Sequence, residues 1–281
     1  MRVALTGASG TLGQFAAPVL RAAGAEVMAL ARRPVPGLAH LPFALGERPD
    51  LRGVDVLIHA ALAHLPGRFR GGEGDDPEGF RRLNLDGTRV LFEAAREAGV
   101  RRVIFLSSRA VFDGAPPGSD LAEDRAPCPT TLYGRVKAGG EAALSALAEP
   151  GFAPVILRAT GVYGAPAPGA PHKWQGLFAR FLAGETPAPR RASEVHGADL
   201  AAAILLCLDA PAGTYHASDL VLDRHDLLAG VARLTRCTTK LPARDDRPLS
   251  LLETARLKGL GWHPGGRARL EAALPGLLAG L

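Results

Sequence analysis

Eight residues near the start of the chain, Thr6-Gly7-Ala8-Ser9-Gly10-Thr11-Leu12-Gly13, constrain the fold more than any other stretch. They follow an apolar run, Arg2–Leu5, and lead into Thr11–Ala23, where apolar residues recur at helical spacing. Each glycine has its own physical use between a strand and a helix. Gly7 permits a tight turn, Gly10 lets backbone approach a pyrophosphate, and Gly13 lets the helix lie against the strand. The helix N-terminus then aims unsatisfied N–H groups at the anion. A glycine triplet by itself is also the mark of an ordinary strand-to-helix turn. Its position directly after an N-terminal strand is what points to a dinucleotide. Gly7, Ser9, Gly10, Thr11, Leu12 and Gly13 are the candidate cradle.

The same alternation continues. Glu26–Ala31, Val54–His59, Arg102–Leu106 and Pro154–Arg158 read as strands, and Glu78–Ala98 and Leu132–Ala148 as helices. Strands alternating with helices imply a parallel sheet covered on both faces, and right-handed crossovers make it doubly wound. The expected class is α/β, a Rossmann doubly wound parallel sheet with a small C-terminal substrate lobe. Residues 1–161 and 192–218 would form the core, and residues 162–191 and 219–281 the lobe. Beyond Arg158 the pattern turns irregular, with loops expected at Ala165–Pro171 and Pro187–Arg191. Pro66–Gly79, rich in glycine and charge, is expected to be a mobile lid.

Composition removes several alternatives. The 281 residues are 47% hydrophobic, ample for one large core. The net charge of +5 comes from scattered arginines with no Lys/Arg run longer than two, which argues for an anionic small molecule and against nucleic acid. Cys128, Cys207 and Cys237 lie far apart, so neither a metal site nor a disulfide framework is expected. No apolar run reaches the roughly 18 residues needed to span a bilayer. With a strand starting at the second residue, no signal peptide is expected, and the expected location is the cytoplasm.

Three further groups carry chemistry. At the end of the second strand, where an NAD-selective site places an acidic residue for the ribose hydroxyls, stands Ala31, followed by Arg32 and Arg33. Arginine suits a 2′-phosphate, so NADP is favoured over NAD; two solvated arginines are the plainer reading. Tyr133 and Lys137 are spaced i, i+4 on a helix and share a face. A free tyrosine titrates near 10, and a neighbouring ammonium favours the phenolate, which suits it to acid/base work. Ser107 and Ser108 end a strand at the carboxyl edge of the sheet. A hydroxyl there can orient a substrate oxygen, or it can serve local backbone.

Taken in order, these segments resemble the extended short-chain dehydrogenase/reductases, and among them the NAD(P)-dependent epimerase/dehydratase group, which acts largely on nucleotide sugars. The likeness runs through Thr6–Gly13, Val54–Ala61, Asn84–Thr88, Ser107–Phe112, Tyr133–Lys137, Leu157–Gly164, Val195–Ala201 and Leu260–Pro264. The resemblance implies a catalytic set of Ser108, Tyr133 and Lys137, with Lys137 also holding the nicotinamide ribose. It places Ala60, Ala61, Asn84 and Ser107 with the cofactor, gives Asp199 a structural task, and puts His59 in the core or near the cofactor. Arg109 and Arg191 are the candidate substrate contacts, and Trp174 and His172 either face the pocket or cap a surface helix. Departures narrow the reaction. Arg109-Ala110 stands where dehydratases of the group carry an Asp-Glu pair and decarboxylating members a Glu. A reductase or a 4-epimerase with tightly bound NAD remains. Val111–Gly114 and Tyr133–Glu141 look like dehydrorhamnose reductases, and Asn84–Thr88 more like epimerases. A non-catalytic NADP-binding regulator is the competing class, though such relatives usually lose the Tyr–Lys pair. The expected partner is a small molecule, a nucleotide sugar, with a homodimer plausible by analogy.

Overall fold

The structure is a computed structural model that describes residues 1–65, 71–279 and 281. Its strands are β1 (Arg2–Thr6), β2 (Glu26–Ala31), β3 (Ala39–Pro42), β4 (Val56–His59), β5 (Arg102–Ser108), β6 (Asp120–Leu121), β7 (Ala153–Ala159), β8 (Gly161–Tyr163), β9 (Arg191–His196), β10 (Gly213–Ala217), β11 (Leu220–Asp223) and β12 (Leu251–Leu252). Its helices are α1 (Thr11–Ala22), α2 (Pro77–Arg81), α3 (Gly87–Glu97), α4 (Leu132–Ser145), α5 (Gln175–Leu182), α6 (Gly197–Leu206), α7 (Arg224–Thr235), α8 (Ala255–Gly259) and α9 (Gly266–Leu278). Seven strands form one sheet in the order β3-β2-β1-β4-β5-β7-β10, every neighbouring pair parallel. The winding reverses between β1 and β4, and the carboxyl ends of such a pair are where open α/β sheets place their ligand crevice.

Strand side chains alternate between two cores. Val3, Leu5, Ile104 and Leu106 pack with residues of α1 and α6. Ala4, Val103 and Phe105 pack with residues of α3 and α4. Burial on both faces explains why these strands read as unbroken apolar runs. A third cluster joins Tyr163, Trp174, Phe178, Leu228 and Leu274, drawn from β8, α5, α7 and α9 and the turn before α5. Asp199 fastens the C-terminal segment: its carboxylate accepts from Gly265 N at 3.2 Å and pairs with Arg269 Nε at 3.1 Å, and its carbonyl accepts from Trp262 Nε1 at 2.8 Å. Among the described residues no helix is long and apolar enough to cross a membrane.

Several expectations are corrected. The stretch expected as one helix, Glu78–Ala98, is α2, a π-helical turn at Arg82–Asp86, and α3 in succession. Of the expected lid, residues 66–70 lie outside the described residues, and its far end is already helical. Asp76 caps α2 by accepting from Gly79 N at 2.8 Å, and Pro77 occupies the first turn, where its missing N–H costs nothing. The irregular region after Arg158 carries β8 to β11 and α5 to α7. Strands of three to six residues there are too short for alternation to declare them.

Gly140 sits where α4 crosses β5, and a Cβ at that position would lie 2.8 Å from the Phe105 ring. Gly140→Ala is expected to cost about 1–3 kcal/mol by overpacking. Urea denaturation should show a lower midpoint with an unchanged slope.

Candidate active site

The turn from β1 into α1 is built by backbone contact. Gly7 has φ +70°, and a Cβ on it would stand 2.9 Å from Ala60 C and Ala61 N. A Cβ on Gly13 would lie 2.3 Å from Gly7 O. Gly10 N donates to Gly7 O at 2.9 Å and closes the turn. Gly10 is also the N-cap of α1, where no side chain caps the helix and no acidic residue occupies the first turn. Ser9, Gly10 and Thr11 are exposed and Leu12 is half-buried. A bare helix start with its positive dipole end open, beside a glycine turn, fits a pyrophosphate.

Beneath the turn runs a buried hydrogen-bond chain. Ala60 N and Ala61 N each donate to Thr6 Oγ1 at 3.1 Å. Thr6 Oγ1 is 2.8 Å from His59 Nδ1, and His59 Nε2 is 2.9 Å from Thr88 Oγ1. Thr88 Oγ1 donates to Asn84 O at 2.8 Å, so it accepts from Nε2–H. That leaves Nδ1 to accept from the Thr6 hydroxyl, and every partner is satisfied. Burial, reinforced by the nearby charge of Lys137, pushes the His59 pKa down to about 3, so the ring is neutral. Asn84 accepts from Ala63 N at 2.7 Å and donates to Ala63 O at 2.8 Å and Phe80 O at 2.9 Å, pinning the loop after β4 to the π-helical turn.

Register sets Leu30 beside Thr6, so Ala31 borders the Gly7 turn. Its carbonyl accepts from His40 Nε2 at 2.9 Å and Phe43 N at 3.2 Å. Arg32 and Arg33 follow it and are exposed.

On the other side of the crevice, α4 carries Tyr133 and Lys137 one turn apart. Its start is anchored by Asp113, whose carboxylate accepts from the backbone and hydroxyl of both Thr130 and Thr131. Burial works to raise this carboxyl, and those hydrogen bonds outweigh it and hold it lowered. Thr131 Oγ1 then caps Gly134 N at 3.1 Å. A Cβ on Gly134 would lie 2.4 Å from Ala110 O, so the start of α4 abuts the 3₁₀ turn Arg109–Phe112. Tyr133 is half-buried and Lys137 is buried. Lys137 Nζ donates to Leu106 O at 2.7 Å and lies 4.8 Å from the Phe105 ring centre. Burial pushes its ammonium down to about 8, against the opposing pull of Glu141. Ser108 Oγ accepts from Ala110 N at 3.1 Å, a bond that uses a lone pair and not the hydroxyl hydrogen. The Ser107 hydroxyl is committed to the Glu141 carboxylate.

The two arginines expected at the substrate, Arg109 and Arg191, both donate to backbone. Arg109 donates to Ser250 O from Nε at 3.3 Å and Nη2 at 3.0 Å. Arg191 Nη2 donates to Arg247 O at 2.7 Å. Trp174 is the N-cap residue of α5 and is buried in the third core, stacked on Tyr163 at 5.0 Å, while half-buried His172 meets Leu277 O through Nε2 at 3.0 Å. The fold thus gathers the glycine turn, Ala60, Ala61, Ser108 and Lys137 at the carboxyl ends of β1, β4 and β5. Sequence reasoning passed over Thr6, Thr88, Asp113, Glu141 and Arg158. Each stood inside a quoted segment without being given a task of its own, and Glu141 continues the i+4 spacing beyond Lys137.

Residues 3–222 match the NAD dependent epimerase/dehydratase family. The chain is 30% identical over 296 residues to dTDP-4-dehydrorhamnose reductase of Streptomyces griseus, covering 97% of this chain and 93% of the relative. It is 32% identical over 240 residues to 3-diazoavenalumate denitrifying reductase of a Streptomyces species, covering 78% and 76%. Among solved structures it resembles the UDP-glucose 4-epimerase of Thermus thermophilus in complex with NAD, at TM-score 0.82 and 24% identity over 100% of both chains. At that identity the likeness speaks for the fold.

Thr6→Val would keep the shape of the side chain but leave Ala60 N, Ala61 N and His59 without their shared oxygen. The expected loss is about 2–4 kcal/mol, from buried polar groups left unsatisfied. Thermal unfolding together with dinucleotide titration should show both stability and affinity reduced.

Proposed function

Given that the chain belongs to the NAD dependent epimerase/dehydratase family, we propose that it is a reductase that moves a hydride between NADPH and a keto or hydroxyl carbon of a nucleotide sugar. The observation that carries this reading is Lys137. It is a buried ammonium one turn beyond Tyr133, bonded to the strand residue two places before Ser108. A buried lysine without a task would be costly. The reductase of Streptomyces griseus, alignable over 97% of this chain, supports a sugar substrate. Residues 162–191 and 219–281 would close over that substrate.

When bound along the glycine turn, the dinucleotide supplies or takes up the hydride. The residues of the chain do the rest. Ser108 donates its hydroxyl hydrogen to the substrate oxygen and orients it. Tyr133 passes a proton to that oxygen in reduction, or takes one in oxidation. Lys137 stabilises the phenolate by its charge, and its remaining ammonium hydrogens suit it to the ribose hydroxyls. Arg32 and Arg33 would take the 2′-phosphate, where Ala31 offers no carboxylate to repel it.

Tyr133→Phe should lower kcat by about 10²–10⁴ while leaving dinucleotide affinity nearly unchanged. Loss of dinucleotide binding would make Tyr133 structural, and undiminished turnover would refute its acid/base role. The cofactor assignment is tested by calorimetric titration of the stripped protein. NADPH should bind at least about tenfold tighter than NADH, roughly 1.4 kcal/mol. The Arg32→Ala/Arg33→Ala double variant should erase that difference without weakening NADH. Tighter NADH, or NAD retained through purification, would overturn the assignment and put the 4-epimerase reading first.

A further inference from the structure

The helix that carries Tyr133 and Lys137 presents a third polar side chain in the same row, Glu141, which takes no part in the reaction as drawn above. It is buried, and its contacts lie immediately under the catalytic edge of the sheet. Register pairs Ser107 of β5 with Arg158 of β7. Glu141 accepts from both, from Ser107 Oγ and from Arg158 through Nε at 3.0 Å and Nη2 at 2.7 Å. One residue earlier on β5, Leu106 O accepts from Lys137. Two consecutive residues of β5 are therefore fastened to two side chains one turn apart on α4. Ser108 is the next residue along the strand.

The far side of this clamp is held independently. Arg158 Nη1 donates to His216 Nε2 at 3.3 Å and to Glu123 O at 3.4 Å, and its guanidinium lies 4.8 Å from the Phe112 ring centre. His216 Nδ1 donates to Glu253 O at 3.0 Å, which leaves Nε2 to accept. Arg158 is thus a fixed post to which Glu141 ties α4. Replacing a buried ion pair with apolar side chains is often neutral or stabilising, so stability alone is a poor reason for one here. Charge supplies a better one. Lys137 faces neutral His59 from β4, Tyr133 and Glu141 from its own helix, and Arg158 through Glu141 from β7. Glu141 is the group in that set that favours the ammonium.

We propose that Glu141 is a positioning residue for the Tyr133–Lys137–Ser108 set: its carboxylate holds α4 at the height on β5 and β7 that brings Tyr133 to Ser108, and it supplies the counter-charge for Lys137. The proposal rests on the Tyr–Lys reading, and its test is chosen to separate the two.

The chain has four lysines, Lys137, Lys173, Lys240 and Lys258, so carbon-13 NMR of labelled lysine can follow each ammonium through a pH titration without turnover. Glu141→Gln should lower the Lys137 midpoint from about 8 by about one pH unit or more, and carry the basic limb of the kcat profile down with it. Arg158→Lys, which keeps the charge pair, should lower the melting temperature yet leave that midpoint in place. A Lys137 midpoint unchanged in Glu141→Gln would overturn the electrostatic half. Should Glu141→Gln fail to fold, Glu141→Asp decides the positioning half. With the charge kept and the reach shortened, the midpoint should stay near that of the wild type while kcat falls about tenfold and KM holds. Wild-type kcat in that variant would overturn it. A fully active Tyr133→Phe would instead sink the Tyr–Lys reading and leave the Lys137 titration standing.

Discussion

One hydroxyl joins the two strands between which the sheet reverses direction. Thr6, the last residue of β1, accepts from two successive backbone N–H groups after β4 and donates to the buried ring of His59. The two strands are paired up to Thr6 and His59, and beyond that point the backbone N–H groups of Ala60 and Ala61 need an acceptor outside the ladder. The hydroxyl is that acceptor, and Gly7, with no Cβ, permits the close approach of the same two residues. His59 passes the constraint to Thr88 and the π-helical turn, which in turn grips the loop after β4 through Asn84. Loss of any member leaves buried polar groups without partners, so the chain acts as a unit.

The opposite wall depends on a second buried arrangement, this one charged. Helix α4 would ride freely on an apolar surface, because dispersion contacts are many but weakly directional. Directional bonds remove that freedom at both ends of the face that carries Tyr133 and Lys137. Asp113 fixes the first turn, and the Ser107–Glu141–Arg158 cluster fixes the third. Gly134 and Gly140 let the helix come close enough for those bonds to form. Between the two anchors lies Lys137, kept in a site where burial disfavours its charge. The two walls meet through His59, whose ring stacks on Phe105, the same ring that underlies Lys137.

Much of this was legible beforehand. The glycine turn, the alternation of strands and helices, the Tyr133–Lys137 spacing and the missing acidic residue at Ala31 are all local patterns. The strands written as continuous apolar runs fell in the sheet for a plain reason, burial on both faces. Illegible were β3, which ends in a proline, and the short strands beyond Arg158. The break in the helix around Asn84 was equally hidden, because a π-helical turn leaves the apolar spacing almost intact. Arg109 and Arg191, expected at the substrate, each donate to a carbonyl of the C-terminal segment, contacts that the sequence did not announce. An arginine in a sequence carries its charge plainly and its hydrogen-bond partner not at all.

By itself the sequence determined the class of sheet, the place of the dinucleotide turn and the helix face that carries the tyrosine and lysine. Each of these follows from neighbours a few residues apart, bound by the steric needs of glycine or the period of a helix. Only the tertiary structure decided which polar groups hold those parts at working distance. Thr6 meets His59 across 53 residues and Ser107 meets Glu141 across 34. No periodicity spans such gaps, because the partners are chosen by the crossing of strands and helices and by the cost of leaving a buried hydroxyl or carboxylate unpaired.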